Sequence, residues 1–233
     1  MTVYFAVAAL SYLLGSIPFG YILVRVFLGS DIRQTGSGNI GATNVGRTGH
    51  KGLAIATLLL DAGKGAGAVL IGRAFVENML RHAPPTYYDT SAAIADERFF
   101  VAALAALFAV LGHVFTVWLK FRGGKGVATA VGAFALLSPV AVLAALAVFL
   151  VTLGATRYVS LGSILGAIAF PISVFFLQRE TISATVLVLV SATSALVILK
   201  HHENIRRLFA GTENKIGKKP ASPANPLPVE KRA

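Results

Sequence analysis

The chain has 233 residues, of which 55% are hydrophobic and only 13% are charged, and its formal net charge is +11. Soluble domains carry roughly 25% charged residues, so the composition excludes that class and indicates a polytopic α-helical membrane protein. The absence of cysteine excludes disulfides, thiolate catalysis and thiolate metal ligands. The basic residues cluster at the ends of apolar runs and in the tail, which favours a role in membrane orientation and contact with anionic lipid over nucleic acid binding.

Charge-poor apolar runs predict the membrane spans, since a helix crosses the bilayer with about 20 residues. In chain order the runs are 2–28, 53–72, 99–119, 126–156, 158–178 and 181–199, and Asp61 and Lys64 interrupt the second. The start of the chain lacks the basic residues and the small-residue cleavage site of a secretory signal. We therefore expect the first run to be a retained span.

The run 126–156 is too long for one span. It holds no charge, and Ser138 and Pro139 lie near its middle. Proline disfavours helical backbone at the residue before it, so we expect the run to fold back near Pro139 as two short helices. The predicted fold class is all-α, a polytopic membrane helix bundle with about seven transmembrane segments.

Loop charge predicts the orientation, because short cytoplasmic loops are rich in lysine and arginine. The loop between the first two spans, loop 120–125 and the segment after residue 199 are basic, whereas segment 73–98 has more acidic residues than arginines. We expect an outside N-terminus, an outward-facing 73–98 segment and a cytoplasmic C-terminus. Residues 1–217 are predicted to form a single integral-membrane domain, and the Pro-rich residues 218–233 a disordered cytoplasmic tail.

The first loop contains a segment, residues 36–47, that is dense in glycine and hydrogen-bond donors. Glycines leave backbone N–H groups open to a ligand, Ser, Thr and Asn add side-chain donors, and arginine adds a forked cation. This chemistry suits a phosphate at the membrane surface, whereas a flexible turn would not require it. The glycine spacing matches the dinucleotide fingerprint formally, but no βαβ unit surrounds it. The candidate ligands are Ser37, Gly38, Asn39, Gly41, Thr43, Asn44 and Arg47.

A second glycine-rich loop contains Gly123, Gly124 and Lys125. It resembles a Walker A fragment only superficially, because Leu119 stands where the first glycine belongs and Gly126 replaces the magnesium-binding Ser or Thr. What is left is a turn with a lysine that is expected to open a helix, whose free N–H groups favour an anion. A role in membrane orientation would explain the basic residues but not the glycines.

A third polar segment follows the last span. His201, Asn204 and Arg207 are three residues apart, so they share one face if the span continues as a helix into the cytoplasm. Beside an expected anion site they are candidates for binding, although a lone histidine is more often structural. No metal site is expected, because only the adjacent His202 and no carboxylate pattern accompanies them.

Five further polar residues lie in or beside apolar runs. Asp61 and Lys64 share one helix face, and ionisable groups at membrane depth are costly, so they are either a structural pair that braces the loops or part of a site. His113 is either a buried hydrogen-bonding residue or a site residue. Ser160 and Ser163 either bond the carbonyl four residues back, as serines in membrane helices commonly do, or contribute to a site.

Four segments of this chain occur together in one known family. They are Ser37-Gly38-Asn39-Ile40-Gly41-Ala42-Thr43-Asn44-Val45-Gly46-Arg47, Leu59-Leu60-Asp61-x-x-Lys64-Gly65, Gly112-His113-x-Phe115 with Phe121-x-Gly123-Gly124-Lys125-Gly126-Val127-Ala128-Thr129, and His201-x-x-Asn204-Ile205-x-Arg207-Leu208-x-x-Gly211-Thr212-Glu213-x-Lys215. In this order they resemble the bacterial acyl-phosphate:glycerol-3-phosphate acyltransferase family. The departures from the family pattern are the long 73–98 segment and the Pro-rich tail, and neither touches a motif.

The resemblance implies a reaction in which a fatty acyl group passes from acyl phosphate to the 1-hydroxyl of glycerol 3-phosphate. The products are lysophosphatidic acid and inorganic phosphate, in the first step of phospholipid synthesis. It also implies that neither acyl-CoA nor acyl carrier protein is the direct donor, and the His-x4-Asp motif of other glycerol phosphate acyltransferases is absent here. Because acyl phosphate is already activated, we expect no cofactor. The implied location is the bacterial cytoplasmic (inner) membrane, with a cytoplasmic active site.

The resemblance also assigns roles to residues. Those expected to take part in catalysis are Ser37, Asn39, Lys125 and His201. Those expected to bind the substrate phosphates are Gly38, Gly41, Thr43, Asn44, Arg47, Gly123, Gly124, Ser163, Asn204 and Arg207. Supporting residues are Asp61, Lys64, His113, Ser160, Glu213 and Lys215. The expected partners are acyl phosphate, glycerol 3-phosphate and membrane lipids, with no nucleic acid and no required protein partner.

Two other classes compete with this reading. A transporter or channel for an organic phosphate or other anion would be expected to show inverted repeats and paired broken helices, and the sequence shows no internal repeat. A lipid-binding structural protein would not need three loops rich in anion donors. The identity of the general base is left open between His201 and a phosphate oxygen of a substrate.

Overall fold

The computed structural model describes residues 1–84 and 90–217, and within them the regular structure is helical, without a β-strand. The α-helices are α1 (Thr2–Gly15), α2 (Phe19–Leu28), α3 (Ala42–Gly46), α4 (Lys51–His82), α5 (Ser91–Val114), α6 (Val127–Leu137), α7 (Pro139–Thr156), α8 (Val159–Gln178), α9 (Ala184–Leu199) and α10 (His202–Phe209). Short 3-10 helices lie at Ile32–Gln34 and Val117–Leu119. The predicted tail, residues 218–233, lies outside the described residues.

The helices fit a membrane-spanning bundle. In the described part of the chain, 5 helical stretches are long and apolar enough to cross a bilayer, or 6 if the bent α9–α10 pair is one span. The 11-residue α6 is apolar but short. The expectation of an all-α membrane bundle is therefore confirmed, whereas the count of seven segments stays a prediction.

Two apolar runs differ from their predicted outlines. The run 2–28 is one candidate span, as predicted, but its helix is interrupted between α1 and α2, where α2 begins directly after Pro18. Proline lacks a backbone N–H and restricts the residue before it, so the helix cannot continue unbroken. The second run is longer than predicted, because α4 continues to His82.

The predicted break at Pro139 is present, since α6 ends at Leu137 and α7 begins at Pro139. Both ends of the run reach the same end of the bundle. Lys125, just before α6, donates to Asn204, and Ser160, just after α7, donates to Glu213, which accepts from the same Asn204. The run therefore folds back, as the sequence predicts.

Helix α5 is the centre of the bundle and packs against α1, α4, α6 and α9. Its buried face is formed by small residues, which let helices approach closely in a membrane. They include Ala102, Ala103, Ala105, Ala106 and Ala109. A Cβ atom on Gly15 would lie 2.1 Å from the Ala109 carbonyl oxygen, so only glycine permits this contact between α1 and α5.

Polar contacts tie the helices together at the end opposite the Lys125–Asn204 contact. Tyr4 donates to Glu97 over 2.8 Å, joining α1 to α5. Arg98 forms an ion pair of 2.6 Å with Glu77 of α4. The Asp96 carboxylate accepts the backbone N–H that precedes α9 at 2.7 Å. The 73–98 segment is thus largely helical in its described part, and its acidic residues hold this end of the bundle.

Candidate functional site

The three donor-rich loops meet in one cleft at one end of the bundle. The cleft has a volume of about 190 Å³. It is lined by Ser37, Gly38, Asn39, Gly123, Gly124, Lys125, Lys200, His202 and Glu203. The structure therefore brings together three loops, of which the first and the third are more than 160 residues apart along the chain.

Asn44 organises the first loop from within. Its side chain is buried, and its amide donates to the carbonyls of Ile32, Thr35 and Asn39 at 3.2, 3.0 and 2.8 Å. Its Oδ1 accepts the N–H of Ser37 at 2.9 Å. An amide has only two hydrogens, so none is left for a ligand. The side chain therefore shapes the loop, and direct phosphate binding by Asn44 stays a prediction.

The tip of the first loop presents Ser37 and Gly38 to the cleft, and both are exposed. Asn39 lies beside them, and its Oδ1 accepts the N–H of Gly41 at 2.8 Å. Gly41 was expected to offer that N–H to a phosphate, but it is bonded within the loop. Thr43 is exposed on α3.

Arg47 follows α3 and is exposed. Among the described residues its guanidinium has no hydrogen bond or ion pair, so its donors are open to a ligand. Desolvation by neighbouring groups lowers the pKa of Arg47, and the charges of Glu213 and Arg207 also act on it. These three charged groups therefore share one region of the molecule.

The second loop turns back onto the end of α5. The N–H of Gly123 donates to the Val114 carbonyl at 3.1 Å, and the N–H of Gly124 donates to the His113 carbonyl at 3.0 Å. Both amides were expected to bind phosphate, and both are already used. A Cβ on Gly123 would lie 2.0 Å from the His113 carbonyl oxygen, and one on Gly124 would lie 2.0 Å from His113 Nε2. The glycines are required for this close approach of the loop to the end of α5.

Lys125 is the cation of the second loop that lines the cleft. Its ammonium donates to Asn204 Oδ1, which leaves two of its three hydrogens for a ligand. Burial lowers the pKa of Lys125 to about 8, and the charges of Glu213, Arg207 and Arg47 also act on it. Lys125 is thus a partly buried cation that loses its proton more readily than an ordinary lysine.

Glu213 is the centre of a buried hydrogen-bond network behind Lys125. Its Oε1 accepts from Ser160 Oγ at 2.9 Å and from Asn204 Nδ2 at 2.7 Å, and its Oε2 accepts from Arg207 Nε at 2.7 Å. Burial alone would raise the pKa of Glu213, but the hydrogen bonds from Arg207, Asn204 and Ser160 hold it below the ordinary value. Because Asn204 donates to this carboxylate, its Oδ1 is turned towards Lys125.

His201 is buried in the turn between α9 and α10. Its Nδ1 lies 2.7 Å from the Val197 carbonyl oxygen. A carbonyl only accepts, so Nδ1 carries the hydrogen and Nε2 keeps a lone pair. Burial lowers the pKa of His201 to about 4, and the charge of Lys125 acts in the same direction. His201 is therefore neutral near pH 7.

The third segment is not the continuous helix that the sequence suggested. Helices α9 and α10 are bent by 53° relative to each other. His201 lies at the bend, while Asn204 and Arg207 lie one turn apart on α10 and both contact Glu213. Through Asn204, the bent α10 contacts Lys125 of the second loop.

The remaining predicted residues lie around this network. Ser163 Oγ donates to the Val159 carbonyl at 2.9 Å, four residues back in α8, so it is bonded within its own helix. The Lys215 ammonium lies 5.0 Å from the centre of the Tyr158 ring. Ser163 is thus bonded within α8, whereas the Lys215–Tyr158 contact joins the segment after α10 to the start of α8.

Asp61, Lys64 and His113 form a buried group below the second loop. Lys64 Nζ lies 2.8 Å from Asp61 Oδ1, and His113 Nδ1 lies 3.6 Å from the same oxygen. Their spacing in the sequence indicated Asp61 and Lys64 as a pair, but it gave no link to His113. Nothing in the sequence gives the rotation of α5 relative to α4, so this contact required the structure.

Three residues that line the cleft were missed: Lys200, His202 and Glu203. All three are immediate neighbours of predicted residues in the third segment, and the basic Lys200 was interpreted only as an orientation signal. The Lys200 ammonium lies 5.3 Å from the centre of the Phe115 ring. In residues 1–84 and 90–217 no group of three or more His, Asp and Glu side chains could hold a metal ion.

The fold and the cleft define an integral membrane helix bundle with a lysine-lined polar site between its loops. The family model "Glycerol-3-phosphate acyltransferase" matches residues 5–211. The glycerol-3-phosphate acyltransferase of Agrobacterium fabrum is 46% identical over 212 residues, 91% of each chain. That of Syntrophotalea carbinolica is 45% identical over 216 residues, 92% of this chain and 98% of the relative. The chain belongs to the glycerol-3-phosphate acyltransferase family.

Two crystal structures are also similar to this chain. Both are of PlsY (YgiH), described as an integral membrane glycerol 3-phosphate acyltransferase. The glycerol 3-phosphate form has a TM-score of 0.78 and 35% identity, and covers 92% of this chain and 96% of that protein. The lysophosphatidic acid form has a TM-score of 0.75 and 34% identity, and covers 92% and 95%. The fold and the family therefore agree.

Proposed function

We propose that the protein transfers a fatty acyl group from acyl phosphate to the 1-hydroxyl of glycerol 3-phosphate, releasing lysophosphatidic acid and inorganic phosphate. The observation that carries the proposal is the meeting of the three family motifs in one cleft around Lys125. The related PlsY has been solved in a glycerol 3-phosphate form and a lysophosphatidic acid form, which are the acceptor and the product of this reaction.

The charges of the site suit two phosphate-bearing substrates. A phosphate monoester carries about −1.5 to −2 charges near pH 7, so the two ligands together need several cations. Lys125 and Lys200 line the cleft, and Arg47 lies nearby with open donors. Arg207 is less available because it is paired with Glu213 at 2.7 Å. We assign the phosphates to Lys125, Lys200 and Arg47.

The loop tip next to Lys125 is assigned to the acyl phosphate. Ser37 and Asn39 supply side-chain donors. Gly38, with a positive φ of 68°, lets the backbone turn beside the cleft, while its own N–H donates to the Thr35 carbonyl at 3.0 Å. Donors placed where negative charge develops on the acyl oxygen would stabilise the tetrahedral transition state. His201 and Asn204, which lie close to Lys125, are assigned to the glycerol 3-phosphate.

Five predicted phosphate ligands receive structural roles instead. The donors that they were expected to offer, amide or hydroxyl, are used inside the protein, so they position the loops and helices around the cleft. They are Gly41, Asn44, Gly123, Gly124 and Ser163. Thr43, exposed on α3, is kept as a ligand for the phosphate.

Direct attack is the mechanism that the site supports best. The 1-hydroxyl oxygen forms an ester bond to the acyl carbon, the bond from that carbon to the phosphate oxygen breaks, and inorganic phosphate leaves with the electron pair. The hydroxyl proton passes to a phosphate oxygen, whose second pKa near 6 suits neutral pH. His201, with a pKa of about 4, is a weak base, but its neutral Nε2 can accept a hydrogen bond from the hydroxyl.

Orientation and location are part of the proposal. The basic loops around the cleft support a cytoplasmic active site in the bacterial inner membrane. With the fold-back at Pro139, α6 counts as a seventh segment, which gives an outside N-terminus and a cytoplasmic C-terminus. Residues 1–217 would form one domain and residues 218–233 a cytoplasmic tail. No cofactor, nucleic acid or protein partner is required for the proposed reaction.

A reconstitution assay tests the function. The purified full chain in lipid nanodiscs is given acyl phosphate and radiolabelled glycerol 3-phosphate, and lysophosphatidic acid and phosphate are expected in equal amounts. Acyl-CoA in place of acyl phosphate should give no product. Lys125→Ala should lose activity, while the matched variant Lys51→Ala, an exposed lysine at the start of α4, should not. Transport of glycerol 3-phosphate into liposomes without acylation would refute the proposal and favour the transporter class.

A further inference from the structure

Three ionisable side chains are buried together in the interior of the bundle, below the cleft. The side chains of Lys64 and Asp61 are 1% and 3% exposed, and that of His113 is 4% exposed. The Asp61 carboxylate oxygen lies 2.8 Å from Lys64 Nζ and 3.6 Å from His113 Nδ1. Ionisable groups at membrane depth are costly and are rarely kept without a function. The reaction proposed above does not use any of them directly.

On one side, this group contacts the break between α1 and α2 through Lys64. The Lys64 ammonium donates to the Ile17 carbonyl at 2.8 Å. That carbonyl precedes Pro18, at the point where the helix is interrupted. Lys64 therefore connects α4 to the first span, and its charge is balanced by Asp61 one turn earlier in α4.

On the other side, the group contacts the second loop through His113. One side of its ring faces Asp61, and its Nε2 lies where a Cβ on Gly124 would be only 2.0 Å away. The backbone carbonyl of His113 also accepts the N–H of Gly124 at 3.0 Å. The imidazole thus lies between a carboxylate and the backbone of the residue that precedes Lys125, and its contact with the carboxylate is electrostatic, because 3.6 Å is too long for a hydrogen bond.

We propose that Asp61, Lys64 and His113 act together as a positioning group that sets the place of the second loop, and through it the place of Lys125 in the cleft. The carboxylate orients the imidazole, and the imidazole supports the loop at Gly124. The expected loss in kcat/KM rests on the proposed function, whereas the expected change in the position of the second loop does not. None of the three residues touches a substrate.

In this proposal the charges of Asp61 and Lys64 are required for positioning, because the contact between His113 and Gly124 depends on the orientation of the His113 ring. Replacing a buried ion pair by apolar side chains of similar volume is often neutral or stabilising for a fold. The variant Asp61→Leu/Lys64→Met is therefore expected to keep its thermal unfolding temperature while the His113 ring loses its partner. This variant separates positioning from a simple contribution to stability.

The kinetic test uses this charge-free variant and His113→Ala, each with and without Lys125→Ala. Misplacement of a catalytic group by about 1 Å can cost on the order of 100-fold, so each variant should lose about 10- to 100-fold in kcat/KM. In the Lys125→Ala background the same changes should have little further effect, because they act through Lys125. An equal loss in both backgrounds would overturn the proposal, as would full activity of the charge-free variant.

A second readout does not depend on the enzymatic reaction. The pH dependence of Lys125 acetylation by acetic anhydride, followed by mass spectrometry, should have a midpoint near 8 in the wild type. In the charge-free variant and in His113→Ala it should move towards the ordinary lysine value as the loop leaves its place. An unchanged midpoint would refute the positioning role even if the protein proved to have another activity. Glu77→Gln/Arg98→Met, which removes an exposed ion pair at the opposite end, is the matched control and should change neither readout.

Discussion

The lowered pKa of Lys125 makes a direct prediction about activity against pH. Burial brings this pKa to about 8 from the ordinary 10.5, and only the charged ammonium gives a phosphate a charge-assisted hydrogen bond. The charged fraction of the free enzyme is then about 90% at pH 7, 50% at pH 8 and 10% at pH 9. Above pH 8, kcat/KM should therefore fall about tenfold for each pH unit.

Two substitutions at Lys125 isolate this effect. Lys125→Arg keeps a positive charge at all accessible pH values, so the fall above pH 8 should disappear, although the changed geometry lowers the maximum. Lys125→Ala removes charge-assisted hydrogen bonds of roughly 1.5–3 kcal/mol, or about ten- to a hundredfold in kcat/KM. Its profile should also lack the alkaline fall.

The assay measures initial rates of lysophosphatidic acid formation between pH 5.5 and 10 at low substrate concentration. An acid limb near pH 6 is expected in every variant, because it reports the substrate phosphate. His201, with a pKa of about 4, should add no limb in this range. Lys51→Ala should keep the wild-type profile. An alkaline fall near pH 8 that persists in Lys125→Arg would refute the assignment of this pKa to Lys125.

Three further predictions concern the anion site, the chemistry and the topology. Arg47→Ala should lower kcat/KM by about ten- to a hundredfold, and Arg47→Lys should stay impaired because a point charge cannot reproduce a planar fork; near-wild-type kinetics for Arg47→Ala would remove it from the site. If a substrate phosphate is the base, His201→Ala should raise KM for glycerol 3-phosphate yet keep turnover at saturation, and a labelled acyl group trapped on Ser37 without acceptor would contradict direct transfer. Single cysteines at the loop positions Thr35 and Arg122, and at Lys218 beyond the described residues, should be labelled only from the cytoplasmic side. A cysteine at Tyr87, also outside the described residues, should be labelled only from the outer side. Labelling of the tail from outside would contradict the fold-back topology.

The sequence by itself determined the class, the loops and the family. Hydropathy depends only on local composition, so the apolar runs and the all-helical membrane class could be read directly. The break near Pro139 followed from the length of one run and from the backbone of proline, and the helices end and begin there. The donor-rich loops were visible because glycines and polar residues between spans have no role in a core.

The tertiary structure decided which donors are available. Sequence chemistry gives the number of donors in a loop but not where each one points. The amides of Gly123 and Gly124 bond to the end of α5, and the side chain of Asn44 bonds within its own loop. All three were expected to bind phosphate, because a free donor and an occupied one look the same in a sequence.

Contacts between distant segments also required the fold. Lys125 and Asn204 are 79 residues apart, and they meet where α10 is bent by 53° from α9. Asp61 and His113 belong to different spans, and their contact depends on the rotation of α4 against α5. Helix rotation and bending are set by the packing of small residues along whole helices, so no local pattern determines them.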